Sequence, residues 1–332
     1  MAFNRNLHGL RGLLAIGVMI GHCGIVHIES VSVFFFFVLS GYLLASLYRN
    51  GMRPDQLGPY AMRRAARLVP LYAVVLVVIA LVPNWLYDAV LRPDEAAKFE
   101  GIAATFLEHL TFKCGDIHFW TLSQEAVGYA LIAALVLMRS LLGVGPFIAL
   151  CAAVAVFFDF FWFIPMPSSG IVRPFYGMHF AIGVAAAQIP TGKPKRWASA
   201  ASIVILGAIL VAAMFGEAIK STWDVPFWEG IIPPELWGLI AAAAILGLAH
   251  GSDVLGRFGF FGTISYGTYV FHYLVLLIVA SLDGAHNPLV TFLKVGSITF
   301  ALAWLSYRYI EAPCIRWAAS LRRSEQRATE GA

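Results

Sequence analysis

Residues 31–48 read VSVFFFFVLSGYLLASLY, eighteen positions without a charged side chain. A helix of that length is about 27 Å long, close to the roughly 30 Å of hydrocarbon in a bilayer. The stretch therefore reads as a membrane span, and comparable ones recur on either side of it. They fall near 12–28, 68–86, 119–138, 146–164, 172–189, 198–216, 232–249, 258–281 and 288–310. Proline and glycine sit at or near their ends, as breakers should. The segment 101–112, GIAATFLEHLTF, is too short to cross and reads as an interfacial helix.

Composition points the same way. The chain is 60% hydrophobic and 13% charged, with a mean hydropathy of +0.77, whereas soluble domains carry about 25% charged residues. A soluble enzyme is excluded. Abundant aromatics exclude disorder, and the scattered Cys23, Cys114, Cys151 and Cys314 form neither a disulfide framework nor a CxxC metal pair. No metal site and no nucleic-acid partner are expected.

The 23 Lys and Arg are sorted between alternate loops. Only Arg92, Lys98, Lys113, Arg173, Lys220 and Lys294 fall on the side opposite the N-terminus, so the positive-inside rule places both termini in the cytoplasm. The run from Leu13 has the short basic flank of a signal peptide, but Ile25-Val26-His27 is no small-residue cleavage site. It reads as a retained first span. The expectation is an all-α, polytopic membrane protein with about ten transmembrane helices. Residues 1–313 form one membrane domain and 314–332 a short basic cytoplasmic tail.

Ionisable groups inside spans are costly and mark functional sites. Arg11 and His22 stand eleven residues apart, which on a helix closes three turns with about 20° left over and about 16 Å of rise. One face thus carries a guanidinium at the inner mouth and an imidazole near mid-membrane. Glu125, His179 and His272 fall in the outer half of their spans, where a carboxylate beside His22 would fix its tautomer. Asp159 reads as snorkelling to the outer surface. Arg63, Arg64 and Arg67 form a ledge at the cytoplasmic rim, suited to phosphate groups or to lipid headgroups. Walker A, HExxH and GxSxG patterns are absent from the sequence.

Six motifs then occur in order: LHGLRG at 7–12 with the Arg-x10-His spacing to His22, FFVLSGYLL at 36–44, RRAARLVPLY at 63–72, FWTLSQE at 119–125, ISYGTYVFH at 264–272 and YRYIEAP at 307–313. Together they resemble the integral-membrane acyltransferase family 3. The resemblance implies an O-acyltransferase that moves an acyl group, commonly acetyl, from acyl-CoA to a hydroxyl of a cell-envelope or exported carbohydrate or glycolipid. It implies roles for Arg11, His22, Arg64, Arg67 and Glu125, with His272 and Glu311 in support; together with the residues read above, the expected site has His22 and Glu125 as catalytic residues and Arg11, Arg63, Arg64, Arg67, Ser40, Tyr72, His179, Tyr266, His272 and Glu311 as substrate-binding residues. Acyl-CoA, acetyl-CoA above all, would be the donor substrate, no cofactor would be permanently bound, and the home would be the inner membrane. Three positions depart from the family pattern: His8, Phe34 and Ala126 stand where relatives commonly carry acids. A proton-coupled transporter would also place His and Glu at mid-membrane, but the matching broken helices in inverted halves are not seen.

Overall fold

The computed structural model describes residues 4–320 apart from 92, 114, 116, 162, 167–170, 191–194, 224–233 and 284–286. Its helices are α1 (Arg5–His22), α2 (Glu29–Leu47), α3 (Leu57–Leu81), α4 (Asn84–Val90), α5 (Pro93–Ala104), α6 (Phe106–Leu110), α7 (Trp120–Arg139), α8 (Val144–Phe161), α9 (Gly177–Ala186), α10 (Arg196–Trp223), α11 (Pro234–Ala249), α12 (Gly259–Asp283) and α13 (Pro288–Ser306). Each of the ten apolar stretches overlaps a helix. Six described helices are long and apolar enough to cross a bilayer, and α8, α9 and α11 are shorter apolar helices. The protein is a helical polytopic membrane protein.

Two expectations are corrected. The stretch 172–189 does not form one span. Strands β1 (Phe163–Met166) and β2 (Ile171–Pro174) pair antiparallel, Phe163 against Pro174, and α9 is only ten residues long. Hydropathy does not distinguish an apolar strand from an apolar helix, and the Pro-Ser-Gly cluster between Pro165 and Gly170 is turn chemistry. The predicted interfacial helix 101–112 is divided between α5 and α6 at Thr105, and α4 precedes them. The side chain of Asp159 lies outside the described residues.

The inner helices are the ones whose faces are closed on every side: 72% of the α2 span is buried, against 22% of α10. Lipid tails are as apolar as leucine, so helices in a membrane associate through close backbone approach. Here two crossings are built on glycine. A Cβ on Gly12 would lie 2.5 Å from Gly262 N, and one on Gly262 would lie 2.1 Å from His8 O, which seats α1 directly on α12. A Cβ on Gly41 would lie 2.3 Å from Phe180 O, and one on Gly183 would lie 2.1 Å from Val38 O, which does the same for α2 and α9.

The starts of α1 and α13 are capped by asparagine side chains. The Asn4 side chain accepts from Leu7 N at 3.1 Å. Buried Asn6 accepts from Val254 N and Leu255 N at 2.8 and 2.9 Å, and donates to Leu248 O and Ser252 O. One side chain thereby ties the start of α1 to the connection between α11 and α12. α13 starts at Pro288 behind the Asn287 cap and passes through a π-helical turn, Tyr307–Glu311, before continuing to Ser320.

Gly183→Ala is expected to cost about 1–3 kcal/mol through backbone overpacking. Gly207→Ala in α10, where a Cβ meets nothing within 4 Å, is expected to be neutral or stabilising. Thermal unfolding of both variants in detergent checks the contrast.

Candidate active site

α1 ends on His22, and the chain turns through Gly24 at φ +73° into α2. His22 meets α12 rather than α7: its Nδ1 lies 2.8 Å from His272 Nε2, with the two rings stacked at 5.1 Å and 6°. His272 Nδ1 lies 2.6 Å from the carbonyl oxygen of Tyr269. A carbonyl only accepts, so the Nδ1 of His272 carries the proton and its Nε2 is the acceptor. His22 then donates through Nδ1, which leaves a lone pair on His22 Nε2. This chain of two hydrogen bonds fixes the tautomer that a general base requires.

A third imidazole completes the cluster. His118, in the segment leading into α7, donates from Nε2 to Val270 O at 3.0 Å and packs edge-on against His272 at 5.3 Å. Tyr269 OH donates to His118 O at 2.6 Å, and Thr121 Oγ1 donates to Tyr269 OH at 2.5 Å. Among the described residues no group of three His, Cys, Asp or Glu could hold a metal ion. His118, Tyr269 and Thr121 were not singled out from the sequence. Thr121 and Tyr269 lie inside the FWTLSQE and ISYGTYVFH motifs and His118 directly precedes the first of them; the left-handed φ of 54° at its neighbour Ile117 is visible only in the structure.

Below this cluster, between α1, α2, α7 and α12, lies a narrow cavity of about 40 Å³. Arg11, Ser40, Thr121, Glu125, Ser265, Tyr266 and Tyr269 are its polar lining, and Val33, Phe36, Phe37 and Leu122 its apolar lining. Tyr269 is shared: it faces the cavity and its ring lies 5.5 Å from that of His272. Arg11, Ser40, Glu125 and Tyr266, four residues named from sequence, are thus brought together. Glu125, expected beside His22, instead accepts from Tyr129 OH and lies in the field of Arg11. The phenol of Tyr266 donates to Leu68 O at 2.6 Å.

Arg11 is surrounded by Arg67, Glu125, Tyr129 and Arg64. Glu311, 2% exposed in the π-helical turn, accepts from Ser306 Oγ at 3.2 Å and faces Arg67 and Arg11. A π turn inside an otherwise regular helix often marks a functional position. The ledge sits inside α3 rather than before it, because that helix starts at Leu57. Arg63 Nη2 donates to Tyr48 OH at 2.6 Å, and Arg64 stacks over the Tyr129 ring at 5.7 Å.

Two named residues belong neither to the cavity lining, nor to the histidine cluster, nor to the arginine group with Glu311. His179 is stacked on Phe34 at 4.7 Å and meets Tyr176 edge-on, and Tyr72 is packed between Phe112 and Phe119. Depth along a span was readable from sequence, but the direction each helix presents to its neighbours was not.

The sequence was compared with known proteins. The profile of acyltransferase family 3, described as an acyltransferase domain, matches residues 4–308. The peptidoglycan O-acetyltransferase OatA of Listeria monocytogenes is 24% identical over 93% of this chain, and the chain spans 55% of that relative's length. The putative membrane-bound transacylase BcsY of Komagataeibacter xylinus is 26% identical over 81% of this chain and 72% of its own length. No solved structure matches. With the profile spanning the helices that carry Arg11, His22, Arg64, Arg67, Glu125 and His272, the chain belongs to acyltransferase family 3.

Proposed function

We propose that the chain transfers an acyl group, acetyl above all, from acyl-CoA to a hydroxyl of a cell-envelope or exported carbohydrate or glycolipid at the inner membrane. The observation that carries this reading is the tautomer-fixed pair His22–His272 above a cavity floored by Arg11 and flanked by the arginines of α3. The name of one relative, a peptidoglycan O-acetyltransferase, supports a hydroxyl acceptor.

A thioester is already activated, so the protein has three tasks: hold the donor, deprotonate the hydroxyl and stabilise developing charge. Arg64 and Arg67 hold the phosphates, for which guanidinium forks are well matched. The pantetheine arm lies in the cavity, pointing its thioester toward Tyr269. His22 Nε2 takes the proton of the acceptor hydroxyl as its oxygen bonds to the thioester carbonyl carbon. The tetrahedral intermediate then collapses, the C–S bond breaks, and the departing thiolate takes that proton from His22. His272 is a positioning residue that fixes the His22 tautomer. Glu125 and Glu311 offset Arg11 and Arg67 in the low-dielectric interior.

His22→Ala is expected to lower kcat at least about 10³-fold with acyl-CoA affinity within about twofold, in the upper range for a general base. His272→Gln should lower kcat by about 10²-fold with both KM values retained. Steady-state kinetics and donor binding separate these outcomes; equal losses in kcat and binding would make the histidines structural. Arg67→Ala should weaken acyl-CoA binding about tenfold at low ionic strength and less at high salt, as measured in detergent at two salt concentrations.

The acceptor, in this reading, arrives from the face opposite the donor. The rise of about 16 Å from Arg11 to His22 carries the chemistry to mid-membrane, and only the uncharged pantetheine arm has to follow it. Sealed proteoliposomes of known orientation should modify an enclosed acceptor when acyl-CoA is supplied at the cytoplasmic face. Product formed only when both substrates share that face would defeat the through-membrane reading.

A further inference from the structure

Arg49 follows directly on the C-terminal end of α2, is half-buried, and was not among the residues read as functional from sequence. Its Nε and Nη2 are both removed from solvent, with no acceptor among the described residues. Those two nitrogens form one edge of the guanidinium, and their N–H bonds run parallel. This is the edge that grips two oxygens of a phosphate or carboxylate at once. Burying it without an acceptor costs the full desolvation of a charged group and returns nothing to the fold.

The carboxylates that sit on or beside α3, α7 and the π-helical turn have partners of their own. Glu125 accepts from Tyr129, Glu311 from Ser306, and Asp55 binds Arg53 through two hydrogen bonds. Tyr42, one of the buried groups facing Arg49, is a phenol and Ser46 beside it is a hydroxyl. Neither supplies an anion.

The position of this edge is informative as well. Tyr48, the residue before Arg49, accepts from Arg63 Nη2 at 2.6 Å, so the end of α2 meets the arginine segment of α3. Arg64 Nε is likewise buried without an acceptor among the described residues. Two helices therefore bring buried, unmatched guanidinium donors to the same end of the bundle. A coenzyme A thioester carries two separate phosphate groupings, a pyrophosphate and a ribose phosphate.

We propose that Arg49 binds a phosphate group of the acyl donor through its Nε/Nη2 edge, as an anion site additional to the arginines of α3. The assignment rests on the acyl-CoA reading given above. It makes the donor site a two-helix clamp, with α2 and α3 each gripping the nucleotide.

The test compares kcat/KM for acetyl-CoA, 3′-dephospho-acetyl-CoA and acetyl-pantetheine in the wild type, Arg49→Gln, Arg49→Lys and Arg64→Gln. Arg49→Gln should lose at least tenfold with acetyl-CoA and less than twofold with phosphate-free acetyl-pantetheine. The dephospho donor then tells which phosphate is read, since the penalty persists with it only if the pyrophosphate is held. Arg49→Lys keeps the charge without the fork and should fall between Gln and wild type, which also guards against a folding defect in the Gln variant. If Arg49→Gln matches the wild type with acetyl-CoA while Arg64→Gln is impaired, the inference fails and the donor reading stands. A wild type indifferent to acetyl-CoA overturns both. A lipid headgroup is the other source of phosphate. Stabilisation by phosphatidylglycerol that is lost in Arg49→Gln, together with an unchanged kcat/KM for acetyl-CoA, would assign the edge to lipid and overturn the donor assignment.

Discussion

The contact between His22 and His272 depends on a helix crossing ten residues away with no side chain in it. Gly12 lies on Gly262, and His22 lies on His272. Both pairs are offset by the same number of residues, so α1 and α12 run parallel in a constant register over about 15 Å. A side chain at either glycine would force the backbones apart, and the 2.8 Å hydrogen bond at the far end would be lost with them. The parallel course also agrees with the sequence-level ordering of the spans, in which both helices cross in the same sense. Precise placement of an imidazole in a membrane interior is thus set by close packing rather than by a polar scaffold.

Charge is distributed with the same economy. Arg11 and Arg67 face Glu125 and Glu311, an arrangement in which each buried ion has an opposite neighbour. Tyrosines close the remaining gaps by donating to main-chain carbonyls, Tyr60 to Tyr129, Tyr87 to Ile79 and Tyr266 to Leu68. The positive excess left over is carried by Arg49, Arg63 and Arg64 at one end of the bundle. An anionic ligand at that end would meet donors already desolvated by the protein, so little of its binding energy would go into stripping water from them.

The sequence made much of this legible because the strongest signals were one-dimensional. Apolar runs pointed to ten helices, and the spacing of Arg11 and His22 put both on one face of α1, which the structure forms as a helix over Arg5–His22. Pairing between helices was not legible in the same way. Glu125 looked like the partner of His22 because it sits at a suitable depth, but depth along a span says nothing of azimuth, and azimuth is set by glycine contacts such as Gly12 on Gly262. His118 escaped notice because it precedes a span rather than lying in one. The outer ends of the β1–β2 hairpin, 163–164 and 172–174, fall inside two predicted spans because hydropathy does not separate an apolar strand from an apolar helix.

The departures from the family pattern acquire a physical sense once the geometry is known. Phe34, where relatives often carry an acid, is stacked on His179, and His8, where they commonly carry another, lies 3.1 Å from Thr263 Oγ1. Neither is poised to orient His22. In the proposed mechanism that work falls to His272, whose own proton is held by the Tyr269 carbonyl. A carboxylate in that place would stabilise the imidazolium more strongly, but its charge would have to be buried throughout the catalytic cycle. The neutral relay avoids that standing desolvation cost, because charge appears on the pair only while His22 holds the acceptor's proton. The price is weaker stabilisation of that protonated state, which the proposed thioester donor, an activated electrophile, would tolerate.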